Sequence, residues 1–418
     1  MTTAVERILI LLLSGLRQIA GDSYDFGDAG LLEKIKKERH KYPMSKYWSD
    51  IINRLQPYEA GEQPQNQRYL KLNTNENPYP PSENVIKAIK EASSELLRLY
   101  PDPDANELRE AIAEYYGLEK DNVFVGNGSD EVLALSFITL FKSRRPVVFP
   151  DITYSFYPSY CALFDIESIC PPLTGEFEID IDQIPLKSGG IIFPNPNAIT
   201  GRYMDLGKIE RILEENQESV VIIDEAYIDF GGESCVSLLP RYPNLLIVQT
   251  LSKSRSLAGL RVGFAMGDWQ LIDGLNIVKN SFNSYPLDRI AIKGATEAIR
   301  DKAYFEKCCD LIINAREWTA KALELLSFYV VPSKANFLFI KHDSCDGKSL
   351  YEDLKMRGIL VRHFNKPGIM NFLRVSIGTL DDMNKFVNVV KEIIQDISDK
   401  KINAKFVDIL FCEGCLYK

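Results

Sequence analysis

Short apolar runs alternate with amphipathic stretches through the middle of this chain. The runs RPVVFP, GGIIFPNP, SVVIIDEAY, NLLIVQTLS and VGFAMG are apolar over consecutive positions, not at every second one, which is typical of strands buried on both faces. Stretches with apolar residues at helical spacing, such as MDLGKIERILEEN, lie between several of these runs. The alternation predicts an α/β domain with a mostly parallel central sheet, in which ligands lie at the carboxyl ends of the strands.

The same pattern predicts how the chain is organised. SENVIKAIKEASSELLRLY and DANELREAIAEYYG predict helices, the second ended by Gly117, and a long helix is predicted from about Leu287 to Leu326. Farther on, ANFLFIKHD, SLYEDLKMRGILVRHF and FLRVSIGT predict a smaller α+β domain. In chain order we expect an N-terminal extension at 1–45, an N-terminal arm at 46–82, a large domain at 83–326, a small domain at 327–400 and a tail at 401–418.

Composition narrows the class of protein. The 418 residues are 45% hydrophobic and 26% charged, as expected of a globular protein with a sizeable core. A formal net charge of −9 argues against a general nucleic-acid binder. The apolar run Ile8–Leu13 is too short to span a bilayer, and eight unpatterned cysteines fit a reducing compartment, so we expect a cytoplasmic protein without a membrane or nucleic-acid partner. No metal site is expected, because the single CxxC at Cys412–Cys415 is interpreted as a tail with two idle thiols.

Polar residues cluster where three of the predicted strands end. In VGNGSDE, a strand leads through a Gly-rich turn into a helix, and such a turn presents free backbone N–H groups to an anion. In IIDEAY, Asp224 ends a buried strand, where a carboxylate needs a cation or a protonated ring nitrogen. In TLSKSRSLAGLRVGF, Lys253 lies among hydroxyl groups and has no acidic residue three or four positions away, unlike a lysine on a surface helix.

These three clusters have one joint explanation. A lysine at a strand end can form a Schiff base with a carbonyl, and Thr250, Ser252 and Arg261 offer the hydroxyls and guanidinium that a phosphate monoester requires. A cofactor with an aldehyde for the lysine, a ring nitrogen for the aspartate and a phosphate for the Gly-rich turn is pyridoxal 5'-phosphate.

The motifs also carry a resemblance to a known family. From about Tyr47 to Ile394 the chain resembles the fold-type I pyridoxal-phosphate aminotransferases, closest to the histidinol-phosphate aminotransferase branch. The likeness rests on PYEAGEQ, KLNTNENPYPPS, LYPDPDANELREAIAEYYG, VGNGSDE, DITYSFYP, NPNAITG, DEAYIDF, TLSKSRSLAGLRVG and NFLRVSIGT. It implies a large domain with a mostly parallel sheet, a smaller α+β domain, pyridoxal phosphate as cofactor, and a homodimer with shared active sites.

The resemblance further implies roles for individual residues. Lys253 matches the lysine that binds the cofactor aldehyde and moves protons, Asp224 the partner of the ring nitrogen, and Tyr227 the hydrogen bond to the ring hydroxyl. Tyr154 matches the aromatic residue stacked on the ring. The remaining cofactor contacts that it implies are Gly128, Ser129, Asp130, Thr250, Ser252, Arg261 and, from the neighbouring subunit, Tyr100.

For the substrate, Arg362 and Arg374 look like the pair that holds a phosphate, with Tyr58 assisting from the partner's arm and with Asn75 and Glu76 near the pocket mouth. The implied reaction moves the amino group of histidinol phosphate to 2-oxoglutarate, a step of histidine biosynthesis. Two alternatives remain open: an aromatic amino-acid aminotransferase, and a pyridoxal-phosphate lyase, decarboxylase or cyclase on the same scaffold.

One motif departs from the family pattern. Where the family has Asn-Pro-Thr-Gly, NPNAITG has Ala198 at the Asn position and Ile199 at the Pro position. Alanine cannot hydrogen-bond the ring hydroxyl, so Asn197 is predicted to turn inward and substitute as a cofactor-binding residue. This departure keeps the lyase and cyclase alternative open.

Overall fold

The computed structural model describes residues 45–55, 61–63, 69–143 and 145–413, without the side chains of 54, 398 and 400–413. Several predicted features therefore lie outside the described residues: Tyr58, the run Ile8–Leu13, Cys415 and the side chain of Cys412. The described residues up to 55 belong to one compact unit and those from 61 onward to a second, with the boundary after Pro57. The predicted boundaries between arm, large domain and small domain stay predictions.

The second unit alternates strands and helices. Its strands are β1 Leu70–Lys71, β2 Val123–Asn127, β3 Val147–Val148, β4 Ser168–Ile169, β5 Gly190–Pro194, β6 Val221–Asp224, β7 Leu245–Thr250, β8 Val262–Gly267, β9 Phe328–Val331, β10 Phe337–His342, β11 Ile359–Leu360, β12 Arg362–His363 and β13 Leu373–Ser376. Its α-helices are α1 Glu83–Ala92, α2 Asn106–Tyr116, α3 Gly128–Ser136, α4 Phe156–Phe164, α5 Leu206–Glu215, α6 Trp269–Phe282, α7 Arg289–Arg300, α8 Lys302–Glu324, α9 Gly347–Met356 and α10 Leu380–Glu413. Within the described ranges, no helix is both long and apolar enough to cross a bilayer.

A seven-stranded sheet in the order β2-β8-β7-β6-β5-β3-β4 forms the centre of this unit. Every residue of β5, β6, β7 and β8 is buried. Successive residues of β6 face opposite sides, so Val221 and Ile223 pack into one apolar cluster while Ile222 packs into another. The two covered faces explain the continuous apolar runs and confirm the α/β class with a mostly parallel sheet.

Strand β8 runs antiparallel to both of its neighbours, whereas β3, β4, β5, β6 and β7 are parallel where they pair. Its first residue, Val262, lies opposite Asn127 at the end of β2, and Gly263 lies opposite Thr250 at the end of β7. The reversal therefore brings the beginning of β8, and Arg261 just before it, to the sheet edge where the other strands end.

A smaller antiparallel sheet, β12-β13-β10-β9, packs with residues of α8 and α10 in a separate apolar cluster. Its register places Arg362 directly opposite Arg374. Opposed residues of an antiparallel pair project from the same face, with Cβ atoms about 5 Å apart. The two predicted substrate-binding arginines are therefore neighbours across two strands.

The predicted long helix from Leu287 to Leu326 is wrong, because the structure has two helices, α7 and α8, in this range. They are separated at Asp301, whose backbone is not helical (φ −81°, ψ 66°) and whose carboxylate accepts from the Tyr304 N–H. Such a cap satisfies a main-chain donor that the helix leaves unpaired, so the chain can break without losing apolar periodicity.

Candidate functional site

A cavity of about 180 Å³ lies within the second unit, at the sheet edge where β6 and β7 end. Residues from separate predicted clusters line it together, which confirms that the strand-end motifs converge. The predicted residues on its wall are Asn75, Ser129, Asp130, Tyr154, Asp224, Tyr227, Thr250, Ser252, Lys253, Arg261, Arg362 and Arg374.

One end of the cavity is built to receive an anion. Ser129 lies in the first turn of α3, where main-chain N–H groups have no partner within the helix. The Thr250 hydroxyl donates to Ser252 Oγ (3.0 Å), and Arg261 Nη1 donates to the same oxygen (3.3 Å). Hydroxyls, a guanidinium and a helix N-terminus together match the donors that a phosphate monoester takes up.

Two glycines let α3 approach this end closely. A Cβ on Gly263 would lie 2.7 Å from Ser129 Cα, well inside contact distance. Gly128 has φ +79°, and a Cβ there would lie 3.0 Å from Arg261 Cζ. Glycine is therefore required at both positions if the start of α3, the start of β8 and Arg261 are to meet at the anion-binding end of the cavity, which we call the cup.

Asp130 forms hydrogen bonds both to Arg261 in the cup and to Tyr154, an aromatic residue of the cavity wall. Its carboxylate accepts from Arg261 Nη2 (2.8 Å) and from the Tyr154 hydroxyl (2.6 Å). Burial, together with the Asp130 charge, raises the pKa of Tyr154 well above its usual value, so the phenol stays protonated and donates. Asp130 thus orients both the guanidinium and the tyrosine ring.

Asp224 ends β6 as a deeply buried carboxyl, 4% exposed. It accepts from the Tyr157 hydroxyl (2.9 Å) and the Ala226 N–H (3.2 Å), and neither donor carries a positive charge. Burial raises its pKa to about 6, and the nearby Asp130 charge adds to the rise, whereas both hydrogen bonds oppose it. A protonated ring nitrogen beside Asp224 would supply the missing positive charge.

Lys253 lies three residues beyond the end of β7. Its Nζ donates to the Thr74 carbonyl (3.2 Å) and lies 5.8 Å from the centre of the Tyr227 ring. Asn77 Nδ2 donates to the Lys253 carbonyl (3.0 Å), which fixes the backbone below the side chain. The amine therefore lies in the cavity with a neutral carbonyl as its hydrogen-bond partner, where it can react with an aldehyde.

The paired arginines occupy another part of the wall. Arg374 Nη1 donates to the Ala198 carbonyl (2.8 Å). Both guanidiniums lie near the face of Phe364, at 5.7 Å for Arg362 and 5.4 Å for Arg374. This ring, which also lines the cavity, makes a cation–π contact with both guanidiniums.

The structure contradicts the prediction that Asn197 turns inward to contact the cofactor. Its Nδ2 donates to the Ile152 carbonyl (2.9 Å), and its Oδ1 accepts from the Ile199 and Thr200 N–H groups (2.9 and 3.1 Å). The side chain closes a local turn, so the cavity wall here is formed by Ala198 and Ile199.

Three more predicted residues, Gly128, Glu76 and Tyr100, lie off the wall. Glu76 pairs with Lys71 (2.6 Å) and accepts from the Thr74 hydroxyl (2.9 Å) instead of lining the cavity. Tyr100 is 79% exposed and stacks on Tyr285, with ring centres 4.7 Å apart. The predicted reach of Tyr100 into a neighbouring subunit stays a prediction.

Sequence reasoning missed several residues of the site. Tyr157, Thr74 and Phe364 each contact or line it, yet the sequence analysis assigned a role to none of them. The aromatic run TYSFYPSY offers a signal for Tyr157, because it lies only three residues after Tyr154, the residue predicted to stack on the ring. Thr74 acts through its carbonyl, which no side-chain pattern reveals.

The residues present fit pyridoxal phosphate. The glycine-lined cup with Ser129 and Arg261 suits its phosphate, and the uncompensated buried carboxyl of Asp224 suits its protonated ring nitrogen. Lys253 lies in the same cavity.

Comparisons with known proteins agree with this geometry. Residues 67–390 match the model of the family described as aminotransferase class I and II. A histidinol-phosphate aminotransferase of Clostridium botulinum is 54% identical over 354 residues, covering 85% of this chain and 100% of that protein. One from Clostridium acetobutylicum is 56% identical over 351 residues, covering 84% of this chain and 100% of that protein.

The fold has solved counterparts as well. The crystal structure of histidinol-phosphate aminotransferase from Sinorhizobium meliloti in complex with pyridoxal-5'-phosphate has a TM-score of 0.75 at 20% identity, over 85% of this chain and 99% of that one. That likeness concerns the fold, whereas the family match covers most of the sequence. The chain belongs to the aminotransferase class I and II family.

Proposed function

We propose that this protein is a pyridoxal-phosphate-dependent aminotransferase that moves the amino group of histidinol phosphate to 2-oxoglutarate in histidine biosynthesis. The observation that carries the choice of donor is the cross-strand pair Arg362 and Arg374 on the cavity wall. Two adjacent guanidiniums suit a phosphate dianion better than a single carboxylate. The relatives that are 53–56% identical over their full length are named for this same substrate.

The proposed roles follow from the contacts. When bound, pyridoxal phosphate supplies an aldehyde for the amino group and a ring that withdraws electrons from the substrate carbon. Asp224 keeps a proton on the ring nitrogen, since a cationic partner relieves its burial. Lys253 would hold the cofactor between turnovers and move the proton at the substrate carbon. It lines the cavity, whereas neither histidine that the structure describes, His342 or His363, does so.

The surrounding residues position these groups. Ser129, Thr250, Ser252 and Arg261, which line the cavity together, would hold the phosphate of the cofactor, and Tyr154 would cover its ring. Arg362 and Arg374 hold the substrate so that its amine faces Lys253.

A homodimer is part of the proposal. Tyr100 follows the exposed apolar residues Leu96, Leu97 and Leu99, which are 45%, 51% and 46% exposed, and a second copy would cover such a surface. Tyr100 and Tyr58 would then reach the partner's cavity. We also propose that the enzyme works in the cytoplasm, since the described cysteines are free thiols.

The first test is a half-reaction without acceptor. The protein loaded with pyridoxal phosphate is mixed with histidinol phosphate, and the cofactor spectrum is recorded. Conversion to the pyridoxamine form, reversed by 2-oxoglutarate, supports the proposal. Conversion by phenylalanine alone would favour the aromatic aminotransferase, and product release without an oxo-acid acceptor would favour the lyase, decarboxylase or cyclase.

The second test addresses the donor. The substitution Arg362→Gln removes one charged hydrogen-bonding partner of the substrate phosphate, so kcat/KM for histidinol phosphate should fall about 30-fold. The value for histidinol, which lacks the phosphate, should change little. Arg211→Gln is the matched control, because Arg211 forms surface ion pairs with Asp182 and Glu215. Equal losses for both substrates would contradict a phosphate-binding role.

A further inference from the structure

The side chain of Asn75 contacts the hydroxyl of Tyr227 inside the cavity, with Nδ2 3.1 Å from the phenol oxygen. Asn75 is 1% exposed and Tyr227 8% exposed, so bulk water does not compete for this bond. The residues are 152 positions apart, and no sequence pattern connects them. The contact is therefore a product of the fold.

The orientation of the Asn75 amide is fixed by Ser376. The Asn75 main-chain N–H donates to Ser376 Oγ (2.8 Å), and the Ser376 hydroxyl donates its proton to Asn75 Oδ1 (2.8 Å). Because Oδ1 is the atom that accepts from Ser376, Nδ2 is the atom that faces Tyr227.

The backbone of Asn75 is held as firmly as its side chain. It has φ 56°, in the left-handed region that asparagine and glycine tolerate best. Asn336 Nδ2 donates to the Asn75 carbonyl (3.0 Å). Main chain and side chain are thus anchored from the small sheet, since Ser376 ends β13.

This arrangement decides the direction of the Tyr227 hydrogen bond. An amide nitrogen donates and cannot accept, so the Tyr227 oxygen accepts from Asn75 and keeps its own proton for another partner. Accepting a hydrogen bond also makes a hydroxyl a stronger donor. The neighbouring wall residue Ala198 has no polar side-chain atom, and the amide of Asn197 is used by main-chain groups.

We propose that Asn75 is a positioning residue that aims the Tyr227 proton at the ring hydroxyl oxygen of bound pyridoxal phosphate. The hydrogen-bonded series Ser376–Asn75–Tyr227 would then supply an oriented donor to the ring hydroxyl, which the Ala198 side chain cannot do. This inference rests on the proposed cofactor and not on the identity of the amino donor. It extends the role of Asn75 from the predicted substrate contact to control of the cofactor's acidity.

The consequence is measurable in the cofactor itself. A hydrogen bond to the ring oxygen would make the proton shared with the Lys253 nitrogen easier to remove. Loss of this hydrogen bond should therefore raise the pH midpoint of the absorbance change of the bound cofactor. One such bond corresponds to about one pH unit.

The test is a double-mutant cycle on the cofactor-loaded protein, read by pH titration of its absorbance. Asn75→Gly removes the amide and tolerates the left-handed backbone, and Tyr227→Phe removes the hydroxyl. We expect Tyr227→Phe to raise the midpoint by about one pH unit. Asn75→Gly should raise it by up to about one pH unit when Tyr227 is present, and should have no further effect beside Tyr227→Phe. Equal shifts in both backgrounds, or no shift in the first, would overturn the proposal.

Ser376→Ala provides a second variant that keeps Asn75. It frees the amide to rotate, so the midpoint should rise in the same direction, by less than with Asn75→Gly. Ser219→Ala is the matched control, because Ser219 is a buried serine that donates to the Ser188 carbonyl (2.8 Å). An unchanged midpoint with Ser376→Ala, or an equal rise in the control, would count against positioning. If the unaltered protein shows no cofactor absorbance, it is the proposed function that fails.

Discussion

Asp224 should destabilise the cofactor-free protein. Its carboxylate is buried at the end of β6 with only neutral donors, the Tyr157 hydroxyl and the Ala226 N–H, to compensate it. Asp224→Asn removes the charge and keeps the shape. The amide oxygen can still accept from the Ala226 N–H, and the amide nitrogen can donate to the Tyr157 oxygen, which then accepts instead of donating. The variant should therefore be more stable than the parent when pyridoxal phosphate is absent.

The raised pKa sets the size and sign of this effect. Burial moves the Asp224 pKa from 3.8 to about 6. The folded protein therefore holds the proton where the unfolded chain releases it, and stability is lost as the pH rises from 3.8 to about 6. This difference in pKa lowers the free energy of unfolding by about 3 kcal/mol above pH 6 and by about 1.5 kcal/mol at pH 5.

Urea unfolding of the cofactor-free proteins at pH 5 and pH 8 measures the effect. The gain from Asp224→Asn should be larger at pH 8, and adding pyridoxal phosphate should stabilise the parent more than the variant. Asp343→Asn is the control, because Asp343 is 89% exposed and its ion pair with Lys341 contributes little. A variant less stable than the parent at pH 8, or a gain independent of pH, would refute the reasoning.

Three further substitutions probe other parts of the fold. Lys253→Ala should abolish covalent attachment of pyridoxal phosphate after borohydride reduction, and mass spectrometry that finds the label on another residue would contradict the assignment. Gly263→Ala should cost about 1–3 kcal/mol and weaken cofactor binding in equilibrium dialysis, because its Cβ would lie 2.7 Å from Ser129 Cα. Arg316→Met should lower the melting temperature measured by calorimetry. Arg316 is 2% exposed and donates to two buried carbonyls, which the substitution would leave unpaired. An unchanged melting temperature would show that those carbonyls find other donors.

Much of the fold and site could be predicted because the relevant signals are local. Consecutive apolar residues in β6 and β7 indicate buried strands. Asp224 at the end of β6 and Lys253 three residues after β7 share one cavity because parallel strands end at one edge. Gly117 ends α2 in the left-handed conformation that its sequence position predicts.

The remaining features depend on information that a sequence pattern lacks. An apolar run has no direction, so the reversal of β8, which brings Arg261 to the cavity, could not be predicted from VGFAMG. Apolar periodicity continues past Asp301, which hides the break between α7 and α8. Asn197 satisfies nearby main-chain groups, and Asn75 meets Tyr227 only after long-range folding.

The hydrogen bond between Asn75 and Ser376 has a consequence for the order of folding. It joins residues 301 positions apart, so one side of the cavity is set by a segment that is synthesised long after the other. At about 5–20 residues per second, a ribosome would need roughly 15–60 s to make the intervening chain. A nascent chain that has completed β8 already carries Asp224 and Lys253 but still lacks β13. Tyr227 can acquire its final orientation only once the small sheet is in place, so full cofactor binding should be a late, post-synthetic event.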